Sequence, residues 1–280
     1  MIKSILVALD GSEHAQAAAR YAIWLGERLQ ATVVGLHVVD DVSVEGAGSF
    51  LHDISGSLGF EPYLDFSSKM REALHDRGRT LLETFLASCR EAGVRADTQL
   101  TTGIVANEIC EQARTADIVL VGHRGVNEQF STGLLGGTTE SVARKCPKPV
   151  LVSPMQFRPI TRALLAYDGS QRAAAAMHEA AELAAALHLP IGVLHVGKDD
   201  GAIQKVLDEA RRYLTAYQIE TEFLSRSGYA NEVILDVMAE GAYDLVFIGA
   251  YGHSRIIEMV LGSTTEYVLR NTSCPVFLSR

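Results

Sequence analysis

Two glycines in the second half of the chain, in Gly249-Ala250-Tyr251-Gly252, are followed nine residues later by Gly262-Ser263-Thr264-Thr265. A loop carrying two glycines lets backbone N–H groups approach a polyphosphate with no Cβ in the way. A helix opening at Gly262 and Ser263 adds N-terminal N–H groups and a dipole end that favour an anion. The hydroxyls of Ser263, Thr264 and Thr265 either donate to phosphate or cap that helix. His253, directly after Gly252, either approaches a phosphate or is a plain loop histidine. The chemistry these residues suit is retention of a phosphorylated small molecule.

The first half carries a variant of the same pattern. Gly122-His123-Arg124-Gly125 is followed by ten residues, Val126 to Leu135, and then by Gly136-Gly137-Thr138-Thr139. The loop is one residue longer, and Gly137 stands where the second half has Ser263. Glycine keeps the backbone N–H and loses the hydroxyl. Arg124 either offsets that loss through a charge-assisted contact or is a solvated loop charge.

Such a loop works only where a strand delivers it to the edge of a sheet. The apolar run Asp117 to Gly122 precedes the first loop, and the similar run Asp244 to Gly249 precedes the second. Upstream, Ile5 to Ser12 recurs as Ala163 to Ser170, with Asp10 matched by Asp168 and Leu36-His37-Val38 by Leu194-His195-Val196. Internal similarity at this period means two copies of a whole domain.

Within the first copy, continuous apolar runs predict strands at Ile2–Leu9, Thr32–Val39, Val94–Thr101, Ile118–Gly122 and Val150–Ser153. Helical spacing predicts helices over Ala15–Leu29 with Ser12 as N-cap, up to Gly93, over Val105–Arg114 and over Thr138–Lys145. Five strands with crossover helices make a doubly wound parallel sheet in each copy.

The expected domains are 1–156 and 157–280, joined by a short linker at Pro154–Pro159. The second copy is shorter, and the missing positions map onto an insert at about 40–63, rich in Gly and Ser. Such a long loop is either a functional cover or a surface excursion.

Lys and Arg total 25 against 34 Asp and Glu, a net charge of −9. Neither half is basic, which argues against a nucleic-acid-binding surface. Cys89, Cys110, Cys146 and Cys274 lack zinc-like or Cys-x-x-Cys spacing and read as scattered thiols of a reducing compartment. With no signal core at the start and no apolar run long enough to span a bilayer, the expected location is the cytoplasm. Neither a Gly-x-Ser-x-Gly elbow nor a Walker A lysine is present.

Both halves resemble the universal stress protein domain, and the whole chain resembles a bacterial tandem, two-domain member of that family. The most specific element is the pattern Gly-x2-Gly-x9-Gly-Ser, matched by Gly249, Gly252, Gly262 and Ser263. The resemblance implies a Rossmann-like fold of the adenine nucleotide alpha hydrolase type and ATP as ligand, with Mg as the candidate divalent ion. It implies that Asp10 or Asp168 lies by the ribose and adenine. Val38 or Val196 would offer its backbone to the adenine edge, and the glycine loops and helix starts would hold the triphosphate. It also implies pairing of the two copies through Val150–Ser153 and Val276–Ser279, an intramolecular pseudo-dimer; a further homodimer is left open.

His37 and His195, set in apolar strands, read as packing histidines rather than catalytic bases. Tyr213, Tyr217 and Phe223 read as core. The site inventory of N–H groups, hydroxyls and one aspartate suits holding a nucleotide better than turning it over. Three readings follow. The first is an ATP-binding stress-response regulatory protein in which occupancy sets conformation or partner choice. The second is a slow ATPase or self-phosphorylating enzyme, with Ser263 or Thr264 as acceptor. The third is a scaffold, or a carrier of an apolar ligand beneath the insert, whose Phe50, Leu51, Leu58, Phe60 and Tyr63 would line it.

Overall fold

The computed structural model describes residues 1–40, 66–125, 136–197, 202–250 and 261–279. Gly252, His253 and nearly all of the expected insert, with its five apolar residues, lie outside the described residues. The first half runs β1 (Ser4–Ala8), α1 (Glu13–Leu29), β2 (Thr32–Asp40), α2 (Phe66–Glu91), β3 (Ala96–Gly103), α3 (Val105–Gln112), β4 (Ile118–Gly122), α4 (Gly137–Lys145) and β5 (Val150–Ser153). The second runs β6 (Ala163–Ala166), α5 (Gln171–Leu187), β7 (Ile191–Val196), α6 (Ala202–Thr215), β8 (Thr221–Arg226), α7 (Ala230–Glu240), β9 (Leu245–Gly249), α8 (Ser263–Asn271) and β10 (Val276–Ser279).

The ten strands hydrogen-bond into one sheet of order β3-β2-β1-β4-β5-β10-β9-β6-β7-β8. The halves do not interleave. Each keeps its own five parallel strands, and β5 meets β10 antiparallel, with Leu151 opposite Phe277. Their side chains are fully buried, so the pairing covers two apolar edges that would otherwise invite association.

Alternation along the strands sorts the core into two layers. Ile5 and Val7 of β1 face a cluster with Tyr21 and Leu25 of α1, Phe85 of α2, Met177 of α5 and Leu207 of α6. Leu6 faces the other side, with Ile109 of α3, Val142 of α4, Val237 of α7 and Val268 of α8. Each face of the sheet is therefore sealed by helices, which is why the strands read as unbroken apolar runs.

The two helices that follow β1 and β6 are terminated alike. Ser12 and Ser170 are extended N-cap residues whose hydroxyls accept the N–H of Ala15 and Ala173, each at 3.1 Å. At the far ends Gln30 and His188 take left-handed conformations, φ 52° and 56°. Neither is glycine, so these stops carry no residue-type signal.

The strand β2 continues one residue beyond the apolar run, to Asp40. The segment joining β5 to β6 is tied to α1: Phe157 packs edge-on against Tyr21 at 4.8 Å, and the Arg158 N–H donates to the Tyr21 hydroxyl at 3.1 Å.

Candidate functional site

Strand order reverses between β1 and β4, and again between β6 and β9. At such a switch point the loops leaving the two strands diverge to opposite faces and open a crevice at the C-terminal strand ends. Asp10 follows β1 and Gly125 follows β4 across that crevice. A Cβ added to Gly125 would fall 2.7 Å from Asp10 Oδ2, so only glycine lets the loop lie against the carboxylate. Asp10 Oδ1 also accepts the Ser12 N–H at 2.9 Å, which folds the β1–α1 turn; Gly11 makes that turn possible at φ +86°. Asp168, Gly169 (φ +80°) and Ser170 repeat the turn in the second half, again with a 2.9 Å bond.

The register of β2 decides what Val38 presents. Pairing with β1 ends at Ala8 opposite Leu36, and the last bond on that side is Leu9 N–H to Leu36 O at 2.8 Å. In a parallel strand alternate residues turn both backbone groups to the same neighbour. Leu36 faces β1, so Val38 does too, two positions past the last pairing, and offers one donor and one acceptor to the crevice. Tyr167 N–H to Leu194 O places Val196 in the same relation to β6. The residue in register with Val38 on β3 is Thr101, whose buried hydroxyl has no hydrogen-bond partner among the described residues.

Gly136 and Gly262 are the N-cap residues of α4 and α8, with no side-chain cap. Among the described residues a Cβ on Gly137 would meet nothing within 4 Å, and one on Gly262 would meet Thr265 Oγ1 alone, at 3.9 Å. At the N-cap of α4 the space is tighter, since a Cβ on Gly136 would lie 3.3 Å from Arg124 Cα. Thr138 and Ser263 are exposed there and Thr264 is half-buried.

Thr139 and Thr265 are buried, and their hydroxyls donate instead to the carbonyls of Gly122 (2.7 Å) and Gly249 (3.5 Å). They latch each helix start to the end of its strand. Gly122 and Gly249 have a packing reason of their own, since a Cβ would strike His14 Cβ at 2.7 Å and the Arg172 backbone at 2.8 Å.

His37 and His195 bond through Nδ1 to the Leu9 and Tyr167 carbonyls, at 2.6 and 2.9 Å, and so brace the β1–α1 and β6–α5 turns. The Arg124 backbone abuts Gly136, and the residue is among those lining a cavity between the halves.

Arg77, which no motif singled out, reaches the turn of the first half: its Nη2 lies 3.7 Å from where a Gly11 Cβ would be. Val206 occupies the corresponding place at Gly169, 3.3 Å away. One crevice thus has a guanidinium at its rim and the other an isopropyl group. The signal was out of reach because α2 follows the insert.

The sequence pattern of the Universal stress protein family matches residues 1–154 and 197–280. A universal stress protein of Synechocystis sp. is 32% identical over 296 aligned positions, covering 100% of both chains. Another, from Mycolicibacterium smegmatis, is 24% identical, covering 99% of this chain and 96% of its own. Among solved structures, a universal stress protein from Archaeoglobus fulgidus superposes with a TM-score of 0.77 at 22% identity, over 99% of this chain and 98% of that one; it speaks to the fold alone. The span 155–196, outside the family match, holds β6, α5 and β7, in the same order as β1, α1 and β2.

Proposed function

Because the chain belongs to the universal stress protein family, we propose that it is an ATP-binding regulatory protein of the stress response. Residues 1–156 and 157–280 act in this reading as two copies of one adenine-nucleotide domain. The observation that carries the reading is the convergence at the β1–β4 crevice. There Asp10, the Gly125 loop pressed against it, the end of β2 at Val38 and, among the described residues, a helix start without a side-chain cap support a nucleotide site. Adenine offers a donor and an acceptor side by side on its Watson–Crick edge, which one strand residue can satisfy. The unpartnered Thr101 hydroxyl beside Val38 is a further polar atom that a bound base or sugar would answer.

A nucleotide fits these residues. The N–H groups at Gly137 and Thr138, or at Ser263 and Thr264, would hold phosphate oxygens, and Asp10 or Asp168 would meet the ribose. Among the described residues no group of three or more His, Cys, Asp or Glu is placed to hold a metal. Mg would enter on the triphosphate itself, as this ion commonly does.

Occupancy has a route to the rest of the molecule. The His123 and Ala250 N–H groups, inside the two glycine loops, donate to Ser153 and Ser279 at the ends of β5 and β10, each at 2.9 Å. All four cysteines are free, which suits a reducing compartment such as the cytoplasm. Incubation of the purified protein with γ-labelled ATP tests the regulatory role. ATP retained intact supports it, whereas released phosphate or label on Ser263 or Thr264 supports an enzyme instead.

A further inference from the structure

The two crevices differ at the turn that follows their first strand. A Cβ on Gly11 would lie 3.7 Å from Arg77 Nη2, whereas one on Gly169 would lie 3.3 Å from Val206 Cγ2. The helix that carries Arg77 is closely seated. A Cβ on Gly78, the next residue of α2, would fall 2.5 Å from His37 Cδ2 and 2.9 Å from Leu100 Cδ1, so only glycine lets α2 settle onto β2 and β3. His37 in turn bonds the Leu9 carbonyl just before the turn. The base of the Arg77 side chain is therefore anchored to the residue that braces the crevice. In the second half the buried Leu207 follows Val206 as Gly78 follows Arg77.

Arg77 is exposed, and its guanidinium has no hydrogen bond or ion pair among the described residues. Its neighbours on α2 are engaged: Arg79 pairs with Asp76 at 2.7 Å, and His75 Nε2 meets the Thr102 hydroxyl at 3.2 Å. In the turn itself, Asp10 Oδ1 accepts the Ser12 N–H, and Oδ2 lies towards Gly125.

Sheet order sets the side from which each group arrives. With β3-β2-β1-β4 in sequence across the sheet, α2 reaches the β1 turn from the β2 side, and the Gly125 loop from the β4 side. The helices α2 and α4 also pack on opposite faces, Phe85 in one layer and Val142 in the other. Val38, assigned to the base, belongs to β2. Arg77 thus stands at the nucleoside end, away from the helix start assigned to the 5′-phosphates. An anion that meets it there must be carried by the ribose. An arginine beside the ribose accepts a sugar phosphate in other doubly wound folds, and its planar fork matches phosphate oxygens in pairs.

Resting on the adenine-nucleotide reading, we propose that Arg77 makes the first crevice selective for an adenine nucleotide phosphorylated on its ribose, at the 2′ or the 3′ oxygen. The second crevice has Val206 in that place. Its isopropyl group has no donor for such a phosphate, so that crevice takes nucleotides without one.

Calorimetry of the full chain with AMP, adenosine 2′,5′-bisphosphate and adenosine 3′,5′-bisphosphate tests this, because the three share base, ribose and 5′-phosphate. One bisphosphate should bind about tenfold or more tighter than AMP, at one site per chain. Arg77→Gln should abolish that advantage, and Val206→Arg should create it at a second site. If AMP binds and neither bisphosphate exceeds it, the role of Arg77 is wrong while the nucleotide reading stands. An advantage that survives in Arg77→Gln, folded by circular dichroism, would also overturn the proposal. Should that variant not fold, the lack of a second preferred site in Val206→Arg would do so. If neither ATP nor any of the three ligands binds, the nucleotide reading fails and the proposal falls with it.

Discussion

Replacing Gly137 by serine would give the first half the residue the second half carries at Ser263. Among the described residues a Cβ there meets nothing within 4 Å, and the backbone is already helical. Folding should tolerate the change, with a gain of at most about 0.5 kcal/mol from the better helix propensity of serine. The added hydroxyl stands beside the N–H groups assigned to phosphate.

A hydrogen bond to a charged partner contributes about 1.5–3 kcal/mol. Gly137 is exposed, so solvent competes for that bond and about 1 kcal/mol is the reasonable share. That corresponds to roughly fivefold tighter ATP binding in the first half. The reverse change, Ser263→Gly, should weaken the second half by a similar factor. Calorimetry with ATP on both variants, with urea unfolding as the stability control, measures the two effects separately. Unchanged affinity in Ser263→Gly would refute phosphate contact by that hydroxyl. A loss of more than about 1 kcal/mol of stability in Gly137→Ser would show that the helix start is not open.

Ser12→Ala and Ser170→Ala each remove an N-cap and should cost about 1 kcal/mol in urea unfolding; losses below a few tenths would mean the caps are idle. Gly192→Ala places a Cβ 2.1 Å from the Tyr243 hydroxyl in a buried strand, so it should destabilise by about 1–3 kcal/mol, read by thermal melting. Burial, with the nearby Glu182 charge, pushes the Glu179 carboxyl from 4.5 up to about 7. A raised folded value favours the protonated form, so stability from this group is complete below pH 4.5 and declines as pH climbs towards 7. Glu179→Gln should remove that decline and raise the melting temperature at pH 8; an identical pH profile in the variant would contradict the burial argument.

Much of the frame was legible because it rests on local rules. The apolar runs at Ile118–Gly122 and Val150–Ser153 are strands at those bounds, since both-face burial leaves no other pattern. Ser12 and Ser170 cap where a serine precedes an apolar-periodic run. Legibility fails where the cause is long-range or unmarked. Thr139 looks like a phosphate ligand beside Thr138, yet helical periodicity turns it inward onto Gly122. Gln30 and His188 end helices in a conformation usually given to glycine, and nothing in their side chains announces it. Asp40 extends β2 although a charged residue reads as the end of an apolar run. The cavity between the halves joins His14 to Arg270, which lie far apart in the chain and come together through the packing of the two halves.

The central claim is that the switch-point crevices read an adenine nucleotide through the backbone of Val38 and Val196. Side-by-side calorimetry with ATP and GTP tests it most directly, because the two ligands share the triphosphate and differ only in the base. Guanine reverses the donor and acceptor that adenine presents, leaving the strand's polar groups unpaired, which costs about 1–3 kcal/mol. ATP should therefore bind with no more than two sites per chain and exceed GTP by about tenfold or more. Absence of ATP binding, or equal affinity for both nucleotides, would contradict the account.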